Sequence, residues 1–169
     1  MKVLITGFPG TGKTTIAHTL KERGRTAYDP QSMSSYMHVE NKMTGKHAKQ
    51  PRPVPSGWYD AVADYNWDSV KLQSLIQNRE DIYICSLASN QSQFYNLFDK
   101  IVLLTLDDRT HTKRLLERGG DHLGSNNLEI HDILQHKKHF ERSLVNLGVI
   151  QISSAQPLDA VVDEIIKLR

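Results

Sequence analysis

One stretch limits what this chain can fold into more than any other: Gly7-Phe8-Pro9-Gly10-Thr11-Gly12-Lys13-Thr14, set directly behind the apolar run Lys2-Val3-Leu4-Ile5-Thr6. The spacing Gly-x4-Gly-Lys-Thr is the P-loop signature. Its glycines let the backbone turn through positive φ and bring N–H groups close to an anion. A helix must open directly behind them, because its first N–H groups and the positive end of its dipole complete the cradle. The chain meets that condition: Ile16, Ala17 and Leu20 recur at helical spacing after Lys13, and Gly24 marks a stop. Strand, glycine turn and helix in that order commit the chain to an α/β fold with its ligand at the carboxyl edge of a parallel sheet.

Four further apolar runs read as buried parallel strands: Thr26–Tyr28, Asp81–Ser86 (DIYICS), Lys100–Leu106 (KIVLLTL) and Val149–Ile152 (VIQI). Helices are predicted over Asp108–Arg118, Leu128–Leu147 and Leu158–Leu168, the last with Pro157 just ahead of it. Strand and helix alternate, which predicts helices on both faces of the sheet. At 169 residues, 38% hydrophobic and 24% charged, the chain fits one globular domain over residues 1–169. Two segments break the pattern. Residues 33–67 have weak periodicity and carry Pro51, Pro53 and Pro55, so they read as a substrate-binding insertion of loop and short helix. Residues 119–127, polar and glycine-rich between two helices, read as a lid-like connection. A net charge of +2 suits phosphorylated ligands and gives no strong nucleic-acid signal. With Cys85 as the single cysteine and no apolar run near the roughly 20 residues of a membrane span, the expectation is a cytoplasmic monomer or homodimer with no membrane partner.

Phosphoryl transfer needs positioning and charge neutralisation. Gly7, Pro9, Gly10, Thr11 and Gly12 supply the loop that faces the nucleotide, Lys13 reaches the β- and γ-phosphates, Thr14 is a ligand for Mg²⁺, and Thr15 stands beside it. ATP and Mg²⁺ are therefore the expected cofactors. No Asn-Lys-x-Asp motif of a GTPase is present, and the strand 81–86 ends without the Asp-Glu of a motor ATPase. A small phosphotransferase remains. Asp29, just past the second strand, lies at the ligand edge, suited to orient or deprotonate an acceptor or to hold a metal-bound water. Arg114 and Arg118 share a helix face one turn apart and suit phosphate oxygens. Ser86, Asn90 and Gln91 follow the third strand as small polar groups for the acceptor, Asn90 also suiting a helix N-cap. Trp58 and Trp67, with Tyr59 and Tyr65, concentrate aromatics in the insertion and offer stacking to a flat acceptor. Lys42, Lys46, Lys49 and Arg52 ahead of them read mainly as a solvated run. His131, His136 and His139 share a helix with Lys137 and Lys138 and read as surface groups, since no acid or cysteine completes a zinc set.

Together these features resemble the adenylate kinase/shikimate kinase branch of P-loop kinases, and more closely a group of small bacterial AAA-family ATPase or nucleoside-kinase-like proteins. The resemblance runs over almost the whole chain. It rests on Gly7 to Thr14, Asp29, the tryptophan-bearing insertion, "SLASNQSQFYNLFDKIVLL" from Ser86, the Arg114/Arg118 helix and "SSAQPLDAVV" from Ser153. It implies a three-layer fold on a five-stranded parallel sheet of order 2-3-1-4-5, a lid, and a separate acceptor-binding insertion. It further implies that Asp29 lies near the acceptor hydroxyl and the Mg²⁺ shell. Arg118 would meet the transferred phosphate at the lid base, and the loop with Ser154 and Gln156 would cup the adenine. The lid segment departs from the adenylate kinase pattern, having no Arg or Lys. The implied activity is transfer of the γ-phosphate of Mg-ATP to a small molecule, a nucleoside or nucleotide first and a hydroxyl metabolite such as a sugar acid second. A nucleotide-binding regulatory module with slow hydrolysis is the reading from another class, and an RNA end kinase draws little support from the mild charge.

Overall fold

The structure, a computed structural model, describes residues 1–30, 32–51, 55, 57–118 and 127–168. Along the chain run β1 (Lys2–Thr6), α1 (Lys13–Glu22), β2 (Ala27–Tyr28), β3 (Met37–Asn41), α2 (Trp58–Ala61), β4 (Ala63–Trp67), α3 (Ser69–Gln77), β5 (Ile82–Cys85), β6 (Lys100–Thr105), α4 (Asp108–Arg118), α5 (Asn127–Asn146), β7 (Ile150–Ser153) and α6 (Leu158–Ile166). Short 3₁₀ segments cover Ser32–Tyr36 and Gln91–Leu97.

β2, β5, β1, β6 and β7 form a five-stranded sheet in that spatial order, every pairing parallel. Counting only these strands, the order is the expected 2-3-1-4-5. In the central strand β1, Val3, Leu4 and Ile5 are fully buried; each such side chain contributes roughly 1.5–3 kcal/mol. Alternation along the strands divides the core. Val3, Ile5, Tyr83 and Cys85 face α1 and α6, meeting Ile16, Leu20, Val161 and Ile165. Leu4, Ile82 and Ile84 face the other way, onto Leu72 and Ile76 of α3 and onto Phe94 and Phe98. A third cluster, Leu115, Ile130 and Ile133, joins α4 to α5 and holds Phe8 of the phosphate loop.

The insertion differs from its expected form. It contains an antiparallel pair, β3 on β4, with Met37 opposite Trp67 and Asn41 opposite Ala63. A turn at the end of β3 is built by Asn41, whose side-chain oxygen accepts from Met43 N and Thr44 N, and it brings His47 back beside Glu40. The outer edge of β4 is not left bare. Tyr65 O accepts from Ser89 N at 2.8 Å, and the Asn90 side-chain amide both accepts from Trp67 N at 2.9 Å and donates to Trp67 O at 3.0 Å. Asn90 thereby behaves as one more strand residue, and the hairpin is docked on the segment after β5. The short helix expected in the insertion is α2. Residues 52–54 and 56 of the insertion, and the lid-like segment apart from Asn127, lie outside the described residues.

Candidate functional site

β1 ends at the sheet centre, and the phosphate loop leaves it there. The sheet order puts β6 and β7 on one flank of this point and β5 and β2 on the other. Elements from both flanks open into one cleft of about 1260 Å³. A pocket for one drug-sized ligand spans roughly 300–1000 Å³, so this cleft has room for a donor and an acceptor together.

The loop is built for an anion. Gly7 passes so close to β6 that a Cβ would lie 2.9 Å from Leu104 O. Gly10 has φ +90°, and a Cβ on it would come within 3.0 Å of Leu115 Cδ2 and 3.2 Å of His111 Nε2. α1 starts at Lys13 with no side-chain cap and no acid in its first turn. Its leading N–H groups are therefore available to a ligand. Lys13 is buried, and its ammonium donates to Gly7 O and, at 3.0 Å, to Phe8 O. Burial lowers its pKa to about 7; Arg118 adds to the fall and Cys85 opposes it. Burial also lowers the Arg118 guanidinium. Two cations held near each other in low dielectric are relieved by an intervening phosphate chain. Thr11 is buried and turned inward, its hydroxyl donating to Phe8 O at 2.8 Å, while Thr14 and Thr15 expose theirs along the cleft.

The β6/β7 flank carries Arg114, Arg118, Ser154 and Gln156, all at the cleft. Arg114 Nη2 donates to Ser154 O at 2.8 Å, which ties α4 to the loop after β7. Gln156 Nε2 donates to Ser153 O at 3.2 Å within that loop.

The β5 flank carries Ser86, Gln91, Trp58, Tyr65 and Tyr95 at the cleft, with Asp132 and His136 of α5 beside them. Gln91 is buried, and its Oε1 accepts from Thr6 Oγ1 at 3.0 Å and Ala88 N at 3.4 Å. With that oxygen taken, Nε2 donates to Tyr95 OH at 2.8 Å. Tyr95 then accepts from Gln91 and keeps its own hydrogen for another partner. Asp132 Oδ2 accepts from Gly57 N at 2.9 Å and so links α5 to the start of α2.

Three expectations are corrected here. Trp67 does not reach the cleft: it is 1% exposed, in the core against Phe94 and Phe98, because the inward face of β4 covers the sheet. Asn90 does not face the cleft either, since its amide is committed to Trp67. Asp29 stands at the end of β2 as expected, but its carboxylate is occupied. Oδ2 meets Lys21 Nζ at 2.7 Å and Ser32 Oγ at 3.0 Å, and Oδ1 accepts from Ser32 N at 2.8 Å. Burial works to raise its pKa, yet Lys21 and Ser32 outweigh that and hold it well below the usual carboxylate range. The neighbouring Pro30 lines the cleft in its place, and Asp132 of α5, bonded to Gly57 of the insertion, is a carboxylate that does line it.

For a magnesium ion, oxygen donors lining the cleft are the hydroxyls of Thr14 and Ser86, whereas both Asp29 oxygens already serve Lys21 and Ser32. Among the described residues there is no cluster of three or more His, Cys, Asp or Glu that could hold a metal. This set suits Mg²⁺ carried in by nucleotide phosphates and largely hydrated, rather than an ion caged by protein.

Sequence reasoning passed over two groups. His111 of α4 is fully buried against the loop, with Nε2 2.5 Å from Pro9 O. Lys137 sits in the basic-looking run His136–His139 but is buried. Its ammonium donates to Leu106 O at 2.5 Å and to Asp108 Oδ1 at 2.9 Å. In both cases a clue was the apolar face of the same helix: Leu115 lies one turn from His111, and Ile133 and Leu144 flank Lys137.

Residues 3–134, more than half of the chain, match the protein-family model described as AAA domain. The chain belongs to the AAA domain family. No curated protein matches it in sequence. Its fold is that of small P-loop kinases. It is similar to deoxyadenosine kinase from M. mycoides with bound dATP, at 15% identity and a TM-score of 0.53, covering 99% of this chain and 98% of that one. The same enzyme with products dCMP and a flexible dCDP gives 16% and 0.56, over 99% and 97%. A gluconokinase from Sinorhizobium meliloti 1021 gives 14% and 0.51, over 96% and 87%. The family match takes in β1, the phosphate loop and the β5 flank, with Ser86 following β5 where a motor ATPase carries acids.

Proposed function

We propose that this protein is an ATP-dependent phosphotransferase that moves the γ-phosphate to a small-molecule acceptor, a nucleoside or nucleotide being the leading class. The observation that carries the reading is the single cleft with two chemically distinct flanks meeting at the phosphate loop. One flank offers arginines and a backbone-rich loop, and the other offers aromatics, hydroxyls and an amide. Fold likeness to deoxyadenosine kinase and gluconokinase supports the same reading. In it, loop N–H groups and Lys13 hold the β- and γ-phosphates, and Arg118 neutralises charge that spreads over the transferred group. Mg²⁺, when bound, screens the phosphates, with Thr14 as its protein ligand. Trp58 and Tyr65, both lining the cleft, offer stacking to a flat acceptor, and Tyr95 donates its hydroxyl hydrogen to it. Asp132, which lines the cleft and accepts from Gly57 N of the insertion, is the carboxylate that orients the attacking hydroxyl.

A nucleotide-binding regulatory module is the second reading, favoured by two facts: Ser86 follows β5 with no acid, and Asp29 is sequestered. ADP release from Mg-ATP, measured with and without a panel of nucleosides, nucleoside monophosphates and sugar acids, separates the two. Release stimulated by one acceptor class and reduced roughly 10²–10³-fold in Lys13→Ala supports the phosphotransferase and names its acceptor. Tight ATP binding with release that no acceptor stimulates refutes it in favour of the module.

A further inference from the structure

Three successive carbonyls of the phosphate loop each meet a donor. Gly7 O is met by Lys13, Phe8 O by Thr11 and Lys13, and Pro9 O by His111 Nε2 at 2.5 Å. The first two sets of donors belong to the loop motif itself. The third comes from α4, about a hundred residues further along the chain. A carbonyl can only accept, so Nε2 carries a proton. Nδ1 is buried and has no hydrogen-bond partner among the described residues, which suits a bare lone pair and a neutral ring. Burial lowers the pKa of this imidazole; Lys137 and Lys13 work the same way, while the bond to Pro9 and the charge of Asp108 oppose them. The ring also presses on the loop, since a Cβ on Gly10 would lie 3.2 Å from Cδ2 and Nε2.

In a trans peptide the C=O and the N–H point to opposite sides of one plane. With Pro9 O drawn to α4, the N–H of Gly10 is turned away from α4. Gly10 itself lines the cleft. We infer that His111 is a positioning residue of the phosphate loop, whose Nε2–H holds the Pro9–Gly10 peptide in the orientation that offers the Gly10 N–H to a nucleoside di- or triphosphate. The inference rests on the nucleotide-binding half of the proposed function and is independent of the acceptor.

The test is affinity of the full chain for a fluorescent ADP analogue with Mg²⁺, and for adenosine, in wild type, His111→Gln, His111→Asn and His111→Leu. A Gln amide reaches the place of Nε2, whereas an Asn amide stops at that of Nδ1. Loss of one such hydrogen bond weakens binding about 2- to 12-fold. That loss is expected for ADP in His111→Asn and His111→Leu, with His111→Gln close to wild type and adenosine binding unchanged throughout. The Gln/Asn pair decides the matter even if His111→Leu does not fold. ADP binding by His111→Asn equal to wild type overturns the role of His111. So does equal weakening in Gln and Asn, or a parallel loss for adenosine. Wild-type protein that binds no ADP overturns the nucleotide reading itself, and this inference with it.

Discussion

Asp29 occupies the strand end where an acid could serve a ligand, yet Lys21 and Ser32 take up both of its oxygens. Its charge braces α1 against the end of β2. Asp29→Asn is therefore expected to lower stability by roughly 1–3 kcal/mol in urea titrations while leaving ADP affinity unchanged; a selective loss of phosphate transfer at full stability contradicts this. Lys13 makes a prediction of the opposite kind. Its pKa in the fold is about 7 against an ordinary 10.5, so between those values the unfolded chain binds more protons and stability rises with pH. Cys85 works against this only above its ordinary value of 9.0, because burial pushes the folded thiol up to about 12. The urea midpoint should climb between about pH 7 and pH 8.5 and stay flatter in Lys13→Met. At this level the motif residues were legible, because a phosphate loop is local: eight consecutive positions define it. The partners of Asp29 and the burial of Lys137 were not, because each depends on an element remote in the chain or on which helix face turns inward.

The hairpin β3–β4 was the one element pair hidden from sequence. Its strands pair with each other and β4 also bonds to Ser89–Asn90; β3 is half-buried throughout and β4 is buried only at its ends, Ala63 and Trp67, so the usual in–out alternation is blurred. The five sheet strands were readable as apolar runs, buried on both faces in β1 and β5 and only in part at the edge strands β2 and β7. Asn90 is the joint between the two systems. Asn90→Ala removes two hydrogen bonds to Trp67 and should cost about 1–3 kcal/mol. Hydrogen exchange should quicken at the amides of Tyr65 to Trp67, and the acceptor KM should rise more than the ATP KM. Equal rises in both constants would show that the hairpin does not shape the acceptor flank alone.

Across the molecule, the crossovers put the arginine-bearing and the aromatic-bearing elements on opposite flanks of one strand and let both open into one cleft. The two tryptophans report on that arrangement. Trp58 lines the cleft, and Trp67 lies in the core. For an acceptor that turns over, its binding should change intrinsic fluorescence in wild type and Trp67→Phe but not in Trp58→Phe, whereas Trp67→Phe should lose ~0.5–3 kcal/mol of stability. A signal that survives Trp58→Phe would move the acceptor elsewhere. Trp67 stands just ahead of the helix carrying Leu72, Leu75 and Ile76, a hint of the core that Trp58 lacks, but both lie in the same weakly patterned insertion. Local order was written in the chain: the strand–loop–helix unit, the apolar strands, the helix periods and the commitment to a phosphate ligand all follow from spacing over a few residues. Which polar groups reach the cleft was settled by packing. A hydrogen bond such as His111 to Pro9 spans 102 positions, and its existence depends on how β6 and α4 lie against β1, a fact that no short window of sequence contains.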